Sequence, residues 1–440
     1  MLTDTAPVLA NATLSTRMRR QAIILLITIN MVNYIDRYLV SALISKIQPD
    51  FFKPDDPSAQ EYMGWLQFAF LVSYMVLAPL FGWLADRMCR WMLIGLCVGC
   101  WSLASGASGL AVTFSAFLIT RIFVGIGEAG YGPAAPTIIA DMYPVDMRAR
   151  MLGYFYVAVP VGSALGFLIG GIIGEHYGWR TAFYVMLSPG MILATLCFLI
   201  KDPPRSSLDG KSHNASWQDY KDLLANRSYV LNTIGITGMT FSLGGIAFWM
   251  ATYVHEYRHA GSLQETDTII GGITVLSGLL GTVAGSFIGD FFAKRTSGAY
   301  FLVCGIGMLI GFPIFLIMLW TPFPAAWVLL ALSEFFLFLN IGPSNAILAN
   351  VTRPSIRASA FAANILVTHA LGDAISPALM GKIAGAFGHK EGDVFVPNMQ
   401  VAFEFMTAVI VLSGIAWILG AKYLADDTAR ANAEQPVVLG

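Results

Sequence analysis

Charged residues are scarce in this sequence. Only 12% of its 440 residues are Asp, Glu, Lys or Arg, whereas a soluble globular chain carries about 25%. Hydrophobic residues make up 56% of the chain, and apolar stretches of about 20 residues, long enough to cross a bilayer, recur along nearly its whole length. The composition therefore leaves no room for a soluble catalytic domain and predicts an all-α membrane protein.

Cysteine and catalytic motifs are scarce as well. The C-x-x-C of Cys97 and Cys100 lies inside an apolar run and is interpreted as small residues for helix packing, and no disulfide framework is expected. No H-E-x-x-H, no G-x-S-x-G and no pair of catalytic aspartates falls within the apolar stretches. We therefore expect no enzyme activity, no catalytic residues, no metal site and no cofactor.

Twelve transmembrane helices account for the apolar stretches. The first run continues through Asp36 and Arg37 without a cleavage site at its end, so it is interpreted as a retained span rather than a signal peptide. Two of the connecting loops are long, at 46–61 and 201–226. The predicted spans are 22–45, 62–84, 91–111, 114–141, 149–174, 179–200, 227–255, 268–290, 299–320, 325–350, 357–386 and 400–424.

The positive charges are distributed unequally between the two sides of the predicted membrane. Of the 26 Lys and Arg residues, eighteen fall in loops on one side, six on the other, and two, Arg37 and Arg121, inside spans. Because the cytoplasmic side collects Lys and Arg, both termini and the 201–226 loop are expected to be cytoplasmic. The predicted units are a tail (1–21), a six-helix bundle (22–200), a linker (201–226), a second six-helix bundle (227–424) and a tail (425–440).

A short motif repeats along the chain. After the second span the sequence reads Gly82-Trp83-Leu84-Ala85-Asp86-Arg87-Met88-Cys89-Arg90. After the eighth span Asp290 is again followed four residues later by a base, Lys294. Further basic loops follow the fourth span, at Arg148, and the tenth. The repetition predicts two pseudo-symmetric six-helix halves in the same orientation, the organisation of parallel-repeat transporters.

The first motif resembles the G-x-x-x-D-R-x-x-R signature of the major facilitator superfamily, with Trp91 in place of a base often found there. Narrower similarity lies in the first half, which resembles the Spinster family in Asn33–Tyr38, Gly125–Tyr131, Ala135–Asp141, Arg150–Leu152 and Pro160–Ser163. The superfamily resemblance implies a major facilitator fold whose first, fourth, seventh and tenth helices line a central cavity. The Spinster resemblance implies export of lysolipids or sphingosine-1-phosphate.

Charged residues inside the spans are the candidates for function, because a charge at the bilayer centre costs at least a few kcal/mol. Asp36 and Glu128 are predicted to couple transport to protons, since burial favours the protonated form of a carboxyl group. Arg37 and Arg121 would each pair with one of these carboxylates. The predicted substrate site comprises Tyr34, Arg37, Arg121 and Glu128. The alternative interpretation is a fixed ion pair that holds helices together.

Three further residues are secondary candidates. Glu334 lies near the middle of the tenth span, and a coupling role and a structural role are both open for it. His369 and Asp373 stand four residues apart in the eleventh span, on one helix face. The favoured interpretation of this pair is a local hydrogen bond or a gate contact rather than proton coupling.

The repeated motif is predicted to act as a conformational latch. Asp86 at the membrane edge can accept hydrogen bonds from a neighbouring helix N-terminus and pair with bases across the two halves. This contact would favour the outward-facing state, and the alternative is positive charge that only fixes topology. The predicted latch residues are Gly82, Asp86, Arg87, Arg90, Arg148, Asp290 and Lys294.

These observations predict a monomeric secondary transporter that works by alternating access, with protons, membrane lipids and an amphipathic, lysolipid-like substrate as partners and with no nucleic acid. A proton-coupled carrier of another small organic anion is the main alternative. A channel is disfavoured because twelve unequal spans in two repeats argue against a symmetric pore and no selectivity-filter sequence is visible. In a bacterium, the expected location is the inner (plasma) membrane.

Overall fold

A computed structural model describes residues 15–85, 87–143, 145–203, 217–353 and 356–433, which are almost entirely helical. The first six helices are α1 (Thr16–Phe51), α2 (Ala59–Ala85), α3 (Arg90–Ser108), α4 (Phe114–Met142), α5 (Val145–His176) and α6 (Trp179–Cys197). Ser15 and Thr113 cap α1 and α4 by accepting hydrogen bonds from backbone N–H groups. Gly178 turns the chain from α5 into α6 at φ +81°, which glycine adopts without steric cost.

The second part begins with a short helix, α7, inside the predicted linker. The elements are α7 (Trp217–Ala225), α8 (Arg227–Thr252) with a π-helical turn (Tyr253–Tyr257), α9 (Leu263–Ala293), α10 (Ala299–Trp320), α11 (Ala325–Phe338), α12 (Ile341–Val351), α13 (Arg357–Leu371), α14 (Ser376–Ala386), β1 (His389–Glu391), β2 (Val394–Val396), α15 (Met399–Gly420) and α16 (Leu424–Ala433). The antiparallel hairpin of β1 and β2 and the helix α16 were not predicted from the sequence.

Ten helices of the described chain are long and apolar enough to cross a membrane. The two remaining predicted spans differ for identifiable reasons. Helix α4 is long enough but carries Arg121 and Glu128 among many glycines and prolines, while the segment 357–386 is interrupted between α13 and α14. The predicted long loop at 46–61 is wrong, because α1 continues through Pro49 and leaves only seven residues before α2.

The helices pack in two groups. In the first, α1 packs on α5, α4 packs on α2 and α3, and α3 packs on α6. In the second, α15 packs on α8 and α10, and α9 packs on α11. The groups meet where α5 packs on α9, where α2 packs on α14, and where α1 packs on α8. Small residues permit two of these contacts, since Gly64 lies against the backbone of Ala378 and Gly171 against Asp267.

Both ends of the described chain lie on one face, here called the terminal face. Arg90, at the start of α3, bonds to Asp202 after α6, and the backbone N–H of Ser228 donates to Asp427 near the chain end. The opposite face is here called the distal face. There Gln60 bonds to Tyr257 of the other group at 3.2 Å between Nε2 and the hydroxyl oxygen. At this end Gly381 also lies against the backbone of Gln60 and Gly385 against that of Pro57, so the distal face is closed.

Candidate functional site

A cavity of about 350 Å³ lies between the two groups of helices. Its apolar wall comes from residues such as Leu71, Leu243, Phe248 and Phe338. Its polar wall consists of Tyr34, Arg37, Tyr38, Ser41, Gln67, Tyr74, Thr240, Thr274, Glu334, His369 and Asp373. The predicted first, seventh and tenth spans therefore contribute as expected, but the described wall draws on the second, eighth and eleventh spans in place of the fourth.

Arg37 connects this cavity to helix α4 behind it. Its Nε lies 2.6 Å from Oε2 of Glu128, whose side chain is fully buried, while the arginine side chain remains 22% exposed. The guanidinium also lies 5.0 Å from the ring centres of Tyr34 and Phe70 and 5.3 Å from that of Tyr74. These aromatic faces favour a cation at this position. Arg37 can thus contact a solute on one side and a carboxylate on the other.

Asp36 and Arg121 lie in a second layer behind the central cavity, where Arg121 and Arg37 line a much smaller cavity of about 10 Å³. Oδ1 of Asp36 accepts a 2.5 Å hydrogen bond from Ser105 on α3, and Asp36 as a whole is 3% exposed. Arg121, also 3% exposed, donates to the hydroxyl of Ser108, and its charge acts on Asp36. The ring of Phe183 covers the Arg121 guanidinium at 5.3 Å. Arg121, predicted to bind substrate, is therefore placed behind the cavity wall.

The hydrogen-bonding capacity of this layer is only partly used. Nε of Arg121 is buried without a hydrogen-bond partner in the described chain, and the second oxygen of Glu128 is buried with the Asn33 amide facing it. Buried polar groups are usually satisfied, so such exceptions mark places where protonation or movement changes the bonding. The two carboxylates and two arginines on α1 and α4 therefore form one electrostatic unit.

Acidic residues occupy the opposite wall of the cavity. Nδ1 of His369 lies 2.9 Å and 3.0 Å from the two carboxyl oxygens of Asp373, which fits the predicted local contact. Glu334 on α11 is 1% exposed, and neither carboxyl oxygen has a hydrogen-bond partner within the described chain, although Thr274 faces it from α9. The cavity thus presents a cation on α1 and carboxyl groups across from it.

The predicted latch residues lie apart from the cavity. Asp86 and the Arg148 side chain fall outside the described residues, and Arg87 stacks on Trp83 at 4.2 Å. Asp290 accepts a hydrogen bond from the Tyr300 hydroxyl at 2.9 Å, and Lys294 is exposed. Gly82 approaches Pro133 of α4.

Arg90 is the latch residue with the most contacts. It is 3% exposed and bonds to Asp141, Asp202 and the carbonyl of Pro203. These partners belong to its own group of helices. The latch between halves stays a prediction.

Sequence reasoning missed two contributors to these sites and one buried carboxyl group apart from them. Ser105 and Tyr74 are ordinary residues of apolar spans, and only their placement next to Asp36 and Arg37 gives them a role. Asp267 is buried, but it lies one residue before the predicted start of the eighth span and so falls outside the predicted intramembrane charges. A buried carboxyl at that position was detectable in the sequence only with a correct helix start.

The Major Facilitator Superfamily model matches residues 26–377. Spinster homolog 1 of Xenopus tropicalis is 36% identical, with 93% of this chain and 82% of that protein covered. The sphingosine-1-phosphate transporter SPNS2 of Mus musculus is 33% identical over 93% of this chain and 78% of its own length.

Solved structures resemble the fold over nearly the whole chain. A bacterial homolog of the human lysosomal transporter Spinster, inward-facing and unoccupied, has a TM-score of 0.77 at 20% identity, covering 96% of this chain and 100% of that one. A D-xylose-proton symporter has a TM-score of 0.66 at 16% identity, covering 91% and 96%. At these identities the likeness shows the fold, the major facilitator fold.

Proposed function

Because this chain belongs to the Spinster family of the major facilitator superfamily, we propose that it carries a lysolipid or sphingoid-type cargo by proton-coupled alternating access. It is a multi-pass membrane transporter and not an enzyme. The observation that carries the proposal is the position of Arg37, which lies on the cavity wall and is paired with the buried Glu128.

The chemistry of the cavity suits an amphipathic anion. Arg37 offers a planar, two-pronged donor for a phosphate, and Tyr34 and Tyr74 flank it. Leu71, Phe248 and similar residues provide an apolar surface for a chain. A relative at 33% identity is named for sphingosine-1-phosphate transport, which supports a cargo of this class.

Proton coupling follows from competition for Arg37. A cargo phosphate that binds Arg37 weakens its bond to Glu128, and the buried carboxylate is then left without its counter-charge. The carboxylate takes up a proton at Oε2, which removes that cost. Release of the cargo lets the Arg37–Glu128 pair form again and expels the proton. Asp36, which is bonded to Ser105 and lies within the field of the Arg121 charge, is proposed as the second proton acceptor in the same unit.

The arrangement in the membrane belongs to the same proposal. Both termini and the 201–226 linker face the cytoplasm, as the distribution of Lys and Arg indicates. The units 22–200 and 227–424 move as two bundles of a monomer. Closure of the distal face then corresponds to an inward-facing state with the cavity accessible from the cytoplasm.

Uptake into proteoliposomes tests the proposal. Purified full-length protein is reconstituted, and flux of a fluorescent lysolipid phosphate is measured with and without an imposed pH gradient. We expect saturable flux that the gradient accelerates, and Glu128→Gln should remove the acceleration. The exposed Asp393→Asn serves as a matched control. Gradient-driven flux of small organic anions with none of lysolipids would instead support the alternative carrier.

A further inference from the structure

A further buried carboxyl group lies near the distal face, apart from the central cavity. Asp267, in the second turn of α9, is 0% exposed, and neither of its carboxyl oxygens has a hydrogen-bond partner in the described chain. A carboxylate enclosed without a partner is strongly disfavoured relative to its protonated form. The proposed transport chemistry at Asp36 and Glu128 does not use this group.

The cover over Asp267 comes from the other group of helices. A Cβ atom at Gly171 of α5 would lie 3.1 Å from Oδ2 of Asp267, so the carboxyl group rests directly on the α5 backbone. Gly174 faces Leu263 one turn further along, and Gly271 approaches the carbonyl of Ala164 in the other direction. Asp267 is therefore sealed only while α5 and α9 are in contact, and their separation at the distal face would expose it.

The charges around Asp267 also disfavour its ionised form. Glu175 of α5, whose Oε2 accepts from the backbone N–H of Gln264 at 2.8 Å, acts on Asp267 with a charge of the same sign. Helix α11, which also packs on α9, carries no titratable residue before Glu334. The other titratable and charged groups on nearby turns bond elsewhere or face solvent: His176, Tyr177, Tyr253, His255, Glu256, Tyr257, Arg258 and Glu265.

We propose that Asp267 is a proton-binding site in the seam between α5 and α9, occupied when the distal face is closed and vacated when it opens. Closing the seam buries the carboxyl group beside Glu175, so closure takes up a proton from solvent. Opening the seam returns the group to water, where it ionises and the proton leaves. The distal gate is thereby linked to pH independently of the cargo site.

The linkage has a defined size. If one proton is taken up on closure, the ratio of closed to open molecules rises up to tenfold for each unit by which the pH falls. The closed-to-open ratio depends on pH in this way only between the pH at which Asp267 titrates in the open form and the pH at which it titrates in the closed form. A lower pH on the distal side therefore favours closure of the distal face.

The test measures the width of the distal face in the full-length protein without cargo. Spin labels are placed at Tyr177 and Lys390, both exposed on the distal side of the two groups, in a background without native cysteines. The closed fraction is recorded as pH is varied. We expect the closed fraction to rise as pH falls in the parent protein. In Asp267→Asn the contribution of this residue, up to a tenfold change in the closed-to-open ratio per pH unit, should be lost.

Two further variants separate titration from a structural effect. Glu175→Gln keeps an oxygen acceptor for Gln264 but removes the neighbouring charge, so the midpoint of closure should move to more acidic pH with its slope retained. Asp393→Asn, exposed in the hairpin, should change neither the slope nor the midpoint. An unchanged slope in Asp267→Asn overturns the proposal. If that variant does not fold, an unchanged midpoint in Glu175→Gln overturns it instead. The outcome does not depend on which cargo is carried, because none is present.

Discussion

At the scale of single residues, the two intramembrane arginines differ in what they can reach. Arg37 lies on the cavity wall, whereas Arg121 is enclosed by Ser108, Phe117 and Phe183. The sequence places both arginines inside spans and so treats them as equivalent. Their difference in position makes each a control for the other.

Replacement of Arg37 by lysine should weaken binding of a phosphorylated lysolipid about ten- to a hundredfold, because lysine cannot form the two-pronged contact. Binding of the dephosphorylated analogue should change little. Arg121→Lys should affect both analogues equally, since Arg121 does not line the central cavity. Binding of the two analogues at fixed pH is the measurement. An equal loss for both analogues in Arg37→Lys would contradict the headgroup role.

Asp36→Asn should abolish proton-driven flux while leaving the fold and cargo binding largely intact. The asparagine is nearly isosteric and can still bond to Ser105, but it cannot exchange a proton. Flux driven by a pH gradient and cargo affinity are measured on the same preparation. Undiminished gradient-driven flux would remove Asp36 from the coupling mechanism.

The candidate site could be predicted from the sequence only in part. Their charge within predicted spans identified Asp36, Arg37, Glu128 and Glu334 as candidates, because a charged side chain inside the bilayer is energetically costly and is usually functional. Their arrangement in a cavity wall and a hidden layer depends on which face of each helix turns inward. That rotation is set by contacts between helices that are distant in sequence, and the sequence pattern of an all-apolar span does not specify it.

At the scale of helices, close glycine contacts govern closure of the distal face. A Cβ at Gly64 of α2 would lie 2.4 Å from backbone atoms of Ala378, so Gly64→Ala must push α2 and α14 apart. Overpacking of this kind costs about 1–3 kcal/mol, enough to shift the population severalfold or more toward a distally open form. Labelling of cysteines introduced at the distal face should increase accordingly.

Gly153→Ala is the matched control, because a Cβ there would meet nothing within 4 Å. Both changes replace glycine by alanine inside a helix and share the gain in helix propensity of about 1 kcal/mol. If the two variants label alike, the contact at Gly64 does not hold the distal face closed.

The repeated motif gives a prediction for the terminal face. Reversal of charge at Asp86 should shift the balance toward the inward-facing state, because loss of a latch stabilises the state that lacks it. A differential interaction of about 1–3 kcal/mol changes the populations severalfold. Cysteine accessibility on both faces reports the shift, and Asp393→Arg provides a comparison at an exposed site. Unchanged labelling would reduce the motif to a determinant of topology.

Helix ends were predictable to within about six residues, with the largest error at α1, but helix interruptions were not. The break between α13 and α14 falls inside a run that reads as one span, and α11 and α12 divide the tenth span in a similar way. The residues at the first break, including Gly372 and Asp373, are compatible with a helix. Tight packing of Gly372 on α8 accompanies the break, and this contact is invisible in local sequence.

At the scale of the whole molecule, the proposed orientation can be tested with a native residue. Cys89 is exposed on the terminal face, whereas the other four cysteines are buried or partly buried. A membrane-impermeant thiol reagent added to intact cells should leave Cys89 unlabelled and should label it once the membrane is permeabilised. Tyr177→Cys on the distal face should react in intact cells. Reaction of Cys89 without permeabilisation would invert the proposed topology.

The ionic cluster around Arg90 has a consequence for biosynthesis. The partners of Arg90 are Thr137, Asp141, Asp202 and Pro203, and all of them precede residue 204. The ribosome therefore delivers every member of this cluster before α8 has been made. The start of α3, the end of α4 and the chain after α6 can be joined while the rest of the protein is still being synthesised. The nascent chain can thus neutralise this buried arginine early, before a mismatched partner from the later helices can compete for it.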